Sequence, residues 1–340
     1  MSVLVLDPFG VARDETLPTI RGALDPAEAE GALGLLPRLV AQGGAVRLRS
    51  IRVTRYKPGQ RCLVEYDIAI PRSPGGEEEL TLIGKVRARH GGGSSDRLQR
   101  AFWEAGFHAG SSDGISVPEP IGTVPAFRMS LQRKVRGQPA SQLLESGGAS
   151  LGARIAETAH KVHRAGVPAG KRHAMADELA ILRERLHEVG REHPRLSARI
   201  AALLAGCERL GTALRPPVPS GIHRDFYSDQ VLLDGDRLWL LDLDLYCEGD
   251  SALDAGNFLG HVMEQALRTR GTPDAFVLFQ RAFEDRFVSL AGEEARTAVR
   301  VYTVLTLARH IYLTTRFPER RAHTEAVLAL CEDLLPAAAQ

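Results

Sequence analysis

Apolar residues follow two different spacings along the chain, and these divide it into a strand-rich first part and a helical second part. Alternating apolar residues predict consecutive strands over 46–55, 62–70 and 80–87. Another strand is predicted over 126–135, after a proline-punctuated segment at 117–122. Ahead of these strands, Asp25 and Pro26 are residue types that open a helix, which the apolar pattern extends to about Val40.

From Gln138 onward the apolar spacing is mostly helical. Leu151, Ile155 and Val162 share one helical face and predict a helix that ends before Gly166. Further helices are predicted over 177–190, 194–214, 252–269, 273–290, 293–316 and 320–335. The exception is 231–241, where two apolar runs flank Asp-Gly-Asp, a pattern typical of a β-hairpin.

Polar residues stand on both sides of this hairpin. His223, Arg224 and Asp225 form a short loop before it, and Asp242 follows its second strand. A hairpin can hold two carboxylates close together. Phosphoryl transfer needs such a pair, because one carboxylate orients the attacking hydroxyl and the other holds the metal that bridges the phosphates.

The order of these residues resembles a known family. A His-x-Asp loop, Gln230 five residues after Asp225, a hairpin, Asp242 and then Gly-Asp-Ser-Ala-Leu-Asp at 249–254 resemble the aminoglycoside phosphotransferase and choline kinase family of small-molecule kinases. The Asp-Phe-Gly and Ala-Pro-Glu of protein kinases are missing from the sequence. The resemblance implies an α+β, bilobal, protein kinase-like fold. We expect an N-lobe of antiparallel sheet and helices over 1–131 and a larger, mostly helical C-lobe over 132–340.

The resemblance also implies roles for the residues around the hairpin. Asp225 would be the catalytic carboxylate, with His223 and Arg224 supporting its loop, and Asp242 and Gln230 would bind Mg²⁺. The family normally carries Asn where this chain has Gln230. Gln offers the same amide oxygen on a stem that is one methylene longer. Two interpretations stay open, an active kinase and a nucleotide-binding pseudokinase with a regulatory role.

In the first part of the chain, Lys85 lies on a predicted strand among apolar residues, where a lysine needs an anion or must reach solvent. The resemblance implies that Lys85 contacts the α- and β-phosphates and pairs with a glutamate on the next helix. Glu104 is the acid in the middle of that predicted helix, and a solvated surface acid is the alternative. Lys57 and Arg61 would cover the phosphates around Gly59, although a plain hairpin turn explains them equally well.

The resemblance places the adenine-binding hinge near Leu131 and Arg133, whose backbone groups would read the base. Met129 would lie behind the base, with a core position as the alternative. The expected cofactors are therefore ATP or GTP, together with Mg²⁺.

Composition narrows the partners. The 43 basic and 42 acidic residues nearly cancel, which argues against nucleic-acid binding. No apolar run approaches the length of a membrane span, so we expect a cytoplasmic protein, a monomer or a homodimer, that does not contact a membrane. The four cysteines are isolated in sequence and suggest neither a disulfide framework nor a metal site.

The expected activity is transfer of the γ-phosphoryl group to a hydroxyl of a small molecule, a sugar-like metabolite or an aminoglycoside-type compound. Trp103 and Trp239 lie outside the predicted C-lobe helices, which argues against a tryptophan cage for a quaternary ammonium. Arginines and acids are mixed in the late helices, so no acidic funnel for a polycation is evident. A neutral or anionic polyol is slightly favoured.

Overall fold

The computed structural model describes residues 3–40, 45–71, 76–88 and 93–338. The chain divides into two compact units, Met1–Arg136 and Gly137–Gln340. The strand that contains Leu131 continues to Arg133, and the lobe boundary expected after Leu131 remains a prediction. The prediction of an α+β chain with a sheet-containing first part and a helical second part is confirmed.

The first unit is built on a mixed sheet. The strands of this sheet are β1 (Leu4–Leu6), β2 (Arg47–Lys57), β3 (Arg61–Pro71), β4 (Glu77–Arg87), β6 (Pro120–Val124) and β7 (Met129–Arg133), and the short strand β5 (Ile115–Ser116) lies outside it. Within the described residues, one sheet has the order β1-β2-β3-β4-β7-β6. β1 is parallel to β2, and the other neighbours are antiparallel. The strands predicted from alternation are present, whereas β1 was not expected.

Short helices accompany this sheet: α1 (Ile20–Leu24), α2 (Pro26–Leu33), α3 (Pro37–Val40) and α4 (Gly93–Phe102). The Asp25 carboxylate accepts hydrogen bonds from Ala27 N and Glu28 N, each at 2.9 Å, and so caps α2 as predicted. The single helix expected as far as Val40 is interrupted after Leu33. Pro37 starts a separate turn because it has no N–H to continue the earlier helix.

One face of the sheet forms the core of the first unit. Tyr66 on β3 is fully buried and donates from its hydroxyl to Ala23 O at 2.8 Å, which ties α1 to the sheet. Gly84 on β4 allows Met129 to pack closely, since a Cβ at Gly84 would lie 2.4 Å from Met129 Sδ. This face is therefore filled by side chains of the protein itself.

The second unit is mostly helical. Its strands are β8 (Gln138–Pro139), β9 (Ser220–Ile222), β10 (Val231–Asp234), β11 (Arg237–Leu240) and β12 (Cys247–Gly249). Its helices are α5 (Gly148–His163), α6 (Met175–Glu192), α7 (Ser197–Ala213), α8 (Ser251–Arg270), α9 (Val277–Ala291), α10 (Ala295–Arg316) and α11 (Thr324–Ala337). The predicted hairpin is confirmed as β10–β11, with Leu232 opposite Trp239. In addition, β8 pairs with β10, and β9 pairs with β12.

The cysteines are all buried and free. Across the described ranges, no helix combines the length and the apolar character that a membrane span requires.

Helices α8 and α10 approach each other closely at two glycines. A Cβ at Gly256 would lie 2.4 Å from Tyr302 Cβ and 2.7 Å from Thr303 N, and one at Gly260 would lie 2.7 Å from Thr306 Cγ2. The obstacles at Gly256 include backbone, which cannot move aside as the end of a flexible side chain can. The glycines therefore fix the distance between two helices that also carry residues near the hairpin.

Gly256→Ala should lower the free energy of unfolding by about 1–3 kcal/mol, because the added methyl group overfills this contact. Gly190→Ala is the matched control in α6, where a Cβ would meet Ser197 at an ordinary 3.6 Å. That variant should be neutral or more stable by up to about 1 kcal/mol, since alanine favours helix. Urea unfolding measures both, and equal stabilities for the two variants would contradict the close contact.

Candidate active site

The loop 223–225, which follows β9, is held by a buried carboxylate on α8. Asp254 accepts from His223 N at 2.8 Å through Oδ2 and from Arg224 N at 2.7 Å through Oδ1, and it is 0% exposed. Arg224 has a left-handed backbone (φ 69°), which is unfavourable for a residue other than glycine. The bonds to Asp254 supply part of the surrounding structure that holds this conformation in place.

A histidine from a distant part of the sequence completes this contact. His163, at the end of α5, places Nε2 2.9 Å from Asp254 Oδ2, and its ring packs edge-on against Phe287. The carboxylate thus joins α5, α8 and the loop. The sequence does not predict the bond, because helical spacing identifies a buried face but not the partner of a residue at a helix end.

The loop is also tied to the hairpin. His223 is 0% exposed and donates from Nε2 to Leu241 O at 2.8 Å, directly after β11. Leu241 N in turn donates to Gln230 O at 2.8 Å. These bonds fix the loop relative to both strands. They fit the supporting role expected of His223, which remains a prediction.

Asp225, Gln230 and Asp242 come together at this end of the hairpin. Gln230 donates from Nε2 to Asp225 Oδ2 at 3.4 Å, and Asp242 lies just past β11 with a left-handed backbone (φ 54°). Burial raises the pKa of Asp225, and the negative charge of Asp242 raises it further. The positive charges of His223 and Arg309 lower this pKa but do not cancel the rise. The two carboxylates therefore influence each other as a close pair.

These groups fit a hard divalent cation. Two mutually repelling carboxylates beside an amide are stabilised when a cation lies near them, and Mg²⁺ accepts carboxylate and amide oxygens. In the described part of the chain, no group of three or more His, Cys, Asp or Glu side chains forms a complete metal cage.

In the first unit, the pleat separates Lys85 from two of the residues predicted to bind nucleotide. Lys85 pairs with Ser130, whereas Met129 pairs with Val86 and Leu131 pairs with Gly84. Since paired residues share a face and alternate along a strand, Met129 and Leu131 point to the face opposite Lys85. Met129 is 1% exposed and packs in the core, which fits the core alternative, and its predicted position behind the adenine remains untested.

The residues expected to form the hinge lie in β7, and their contact with adenine remains a prediction. β7 lies between β4 and β6 and continues through Arg133, whose N–H donates to Glu119 O at 2.9 Å. The Arg133 side chain forms ion pairs with Glu119 (2.9 Å) and Glu78 (3.4 Å). The backbone groups that were expected to read adenine at Leu131 and Arg133 therefore lie in a central, paired strand.

Glu104 lies in a π-helical turn, Trp103–Phe107, at the end of the predicted helix rather than in its middle. α4 ends at Phe102, and the following turn contains non-helical residues at Ala105 and Gly106, the latter with φ 93°. A glycine with positive φ readily terminates a helix, which explains the early end. Glu104 is exposed, as the alternative of a solvated acid predicts, and its pairing with Lys85 remains a prediction.

The segment around Gly59 is a tight connection between β2 and β3. Lys57 pairs directly with Arg61, Gln60 N donates to Lys57 O at 3.1 Å, and Gly59 has φ 67°. Lys57 is exposed and Arg61 is half-buried. The local geometry is that of a plain hairpin turn, and phosphate contact by Lys57 and Arg61 remains a prediction.

The structure adds a polar network that the sequence analysis missed. Asn257 donates from Nδ2 to Phe226 O at 2.9 Å, next to Asp225. Arg309 hydrogen-bonds to Asn257 Oδ1, and its Nη1 lies 3.6 Å from Glu178 Oε2. Burial alone would raise the pKa of Glu178, but a hydrogen bond from His173 and the charge of Arg309 lower it. Only the packing of α6, α8 and α10 brings these residues together.

Asp254→Asn should destabilise the loop, because the amide nitrogen replaces an acceptor that faces a backbone donor. Each buried donor left without a partner costs about 1–3 kcal/mol. Faster hydrogen exchange in a peptide that contains 223–225 should accompany the lower unfolding free energy. Asp236→Asn, at the exposed hairpin turn, is the control and should change neither quantity. Unchanged exchange in Asp254→Asn would contradict the assigned role.

Comparison with known proteins adds independent findings. Residues 94–294 match the model of a family described as "Phosphotransferase enzyme family" (APH). These residues cover more than half of the chain and include the loop, the hairpin and Asp254. A comparison with curated protein sequences gives no significant match.

Solved structures resemble most of the chain. A choline/ethanolamine kinase family protein from Mesorhizobium loti matches with a TM-score of 0.56 and 16% identity, over 91% of this chain and 94% of that one. Aminoglycoside phosphotransferase APH(4)-Ia matches with a TM-score of 0.57 and 16% identity, over 85% of this chain and 94% of that one. Spectinomycin phosphotransferase APH(9)-Ia was solved with ADP and spectinomycin. It matches with a TM-score of 0.51 and 10% identity, over 86% of this chain and 92% of that one. At these identities the likeness shows a shared kinase-like fold.

Proposed function

We propose that this chain, which belongs to the phosphotransferase enzyme family, transfers the γ-phosphoryl group of ATP to a hydroxyl of a small molecule in the presence of Mg²⁺. The observation that carries the proposal is the position of Asp225. It stands on a loop whose backbone is bonded to Asp254, and it lies beside Gln230 and within electrostatic reach of Asp242.

In this proposal Asp225 orients the acceptor hydroxyl and takes its proton late in the reaction. The transition state of phosphoryl transfer is loose, so correct positioning contributes more than a strong base does. Burial raises the pKa of Asp225, which makes the carboxylate a better proton acceptor. His223 holds the loop through Leu241 O and so keeps Asp225 in position.

Asp242 and Gln230 would hold Mg²⁺, which neutralises the charge on phosphate oxygens when it is bound. Lys85 would contact the phosphates, a role that rests on the family resemblance and on its half-buried place in β4. The spectinomycin phosphotransferase solved with ADP supports an adenine nucleotide. GTP is the alternative donor to be compared in the same assays.

Gln230 is the feature that favours a nucleotide-binding pseudokinase instead. Incubation with Mg·ATP and a panel of hydroxylated metabolites and antibiotics separates the two functions. Mass spectrometry then detects the added phosphoryl group. Phosphorylation of an acceptor supports the kinase. Nucleotide binding with no phosphorylated acceptor across the panel favours the pseudokinase.

Asp225→Asn should fold normally but lose activity. Because the pKa of Asp225 is raised, its ionised form destabilises the folded protein at pH values above the ordinary pKa of an aspartate. A neutral side chain of the same shape should therefore leave Tm unchanged or slightly higher. Turnover should fall by at least about 10²-fold, because the positioned base is lost. Asp234→Asn, in the exposed hairpin turn, is the control and should keep full activity. Early melting with full turnover in Asp225→Asn would refute the catalytic assignment.

Asp242→Ala should weaken the Mg²⁺-dependent part of nucleotide binding. The remaining Gln230 amide is neutral and is a weaker ligand for a hard cation than a carboxylate. Calorimetry with ATP, in the presence of Mg²⁺ and then of EDTA, isolates this part. The difference between the two conditions should largely disappear in the variant. If Mg·ATP affinity is unchanged, Asp242 is not the metal ligand.

A further inference from the structure

Arg185 on α6 is a half-buried cation. Its guanidinium carbon lies 5.5 Å from the centre of the Tyr312 ring on α10. Among the residues that the structure describes, no acidic side chain is in ion-pair contact with it. A contact with an aromatic ring attracts a cation, but it does not supply the hydrogen-bond acceptors that an anionic partner would offer.

The neighbouring arginines do have acidic partners. Arg316 also contacts Tyr312, with its guanidinium carbon 4.6 Å from the centre of the ring. Its Nη2 lies 2.8 Å from a carboxylate oxygen of Glu188 and 2.8 Å from one of Glu192. Arg309 forms an ion pair with Glu178. Glu264 forms ion pairs with both Arg268 (3.1 Å) and Arg320 (3.9 Å). The positive charge of Arg185 is therefore left over on this surface of α6 and α10.

The electrostatics agree with this geometry. Burial lowers the pKa of Arg185, and the positive charge of Arg309 lowers it further, although Tyr312, Glu178 and Glu184 oppose the shift. The protonated form of Arg185 is thus destabilised by its surroundings. An arginine nevertheless stays charged in proteins, so an anion placed against it would be favourable.

The position of Arg185 relates it to the catalytic loop. Arg309 lies one turn before Tyr312 on α10 and bonds to Asn257, which bonds to Phe226 O beside Asp225. The charge of Arg309 acts on both Asp225 and Arg185. Contacts of the Arg309–Tyr312 turn of α10 thus link the surroundings of Arg185 to the loop that carries Asp225.

We propose that Arg185 binds an anionic group, a carboxylate or a phosphate, of the acceptor whose hydroxyl is presented to Asp225. This inference rests on the proposed function and narrows its substrate to anionic polyols. The planar guanidinium can donate two parallel hydrogen bonds to a carboxylate or a phosphate, and the Tyr312 ring lies beside it. A polycationic acceptor would meet an unpaired like charge at this position and would be disfavoured.

The test uses acceptors that differ in charge. Glucose, gluconate, glucose 6-phosphate and glucosamine offer similar hydroxyls with a neutral, carboxylate, phosphate or ammonium group. We expect the anionic compounds to be phosphorylated with kcat/KM at least roughly tenfold above glucose and glucosamine, since a charge-assisted hydrogen bond is worth about 1.5–3 kcal/mol. The rank of gluconate and glucose 6-phosphate then identifies which anionic group is preferred.

Arg185→Met removes the charge but keeps an unbranched side chain. It should lower kcat/KM for the anionic acceptors by roughly 10- to 100-fold, mainly through KM, and leave the neutral acceptor unchanged. Arg183→Met is the matched control, because Arg183 is exposed two positions earlier on α6 and pairs with Glu208. This variant should behave as the wild type. A preference for neutral or cationic acceptors that Arg185→Met does not alter would overturn the inference.

Two measurements keep the outcome independent of turnover and of the folding of the variant. Calorimetry should detect wild-type binding of gluconate or glucose 6-phosphate that weakens in Arg185→Met, even if no acceptor is phosphorylated and the proposed function fails. For the wild type alone, added salt should raise the dissociation constant of the anionic compounds and not that of glucose. Salt-independent binding of the anions would count against Arg185 as their ligand.

Discussion

The candidate site depends on one buried carboxylate. Asp254 is 0% exposed, and such a group is stable in the interior only when hydrogen-bond donors surround it. Its donors are the backbone N–H groups of the loop and the ring of His163. The requirement of the carboxylate for donors and the requirement of the loop for acceptors satisfy each other. As a result, Asp225 follows directly after two residues whose backbone N–H groups are bonded to Asp254.

A second constraint is the close approach of α8 and α10. Glycines at 256 and 260 let the two helices approach until side chains on both can reach the loop. Asn257 on α8 and Arg309 on α10 then form a polar connection to Phe226 O. Because α6 packs against the same part of α10, Glu178 and Arg185 join this surface. The charges around the loop 223–225 are thus a consequence of helix packing.

The first unit shows how the pleat of a sheet distributes function and stability. Lys85 and Met129 lie on adjacent strands in nearly the same register, yet they occupy opposite faces. Met129 fills the core beside Gly84 and Tyr66, whereas Lys85 remains on the face that the core does not occupy. Leu131, on the same strand as Met129, is paired on both sides and belongs to the buried face.

The sequence by itself determined the features that depend on local spacing. Alternation marked the strands, helical periodicity marked the helices, and the Asp-Gly-Asp turn marked the hairpin that brings Asp225, Gln230 and Asp242 together. These residues lie within a short stretch, so a rigid hairpin is enough to make them neighbours. The tertiary structure decided the rest. His163 and Asp254 are 91 positions apart, and Arg185 meets Tyr312 only because α6 packs on α10. Periodicity shows which face of a helix is buried but not which helix covers it, and that choice belongs to the packing of the whole unit.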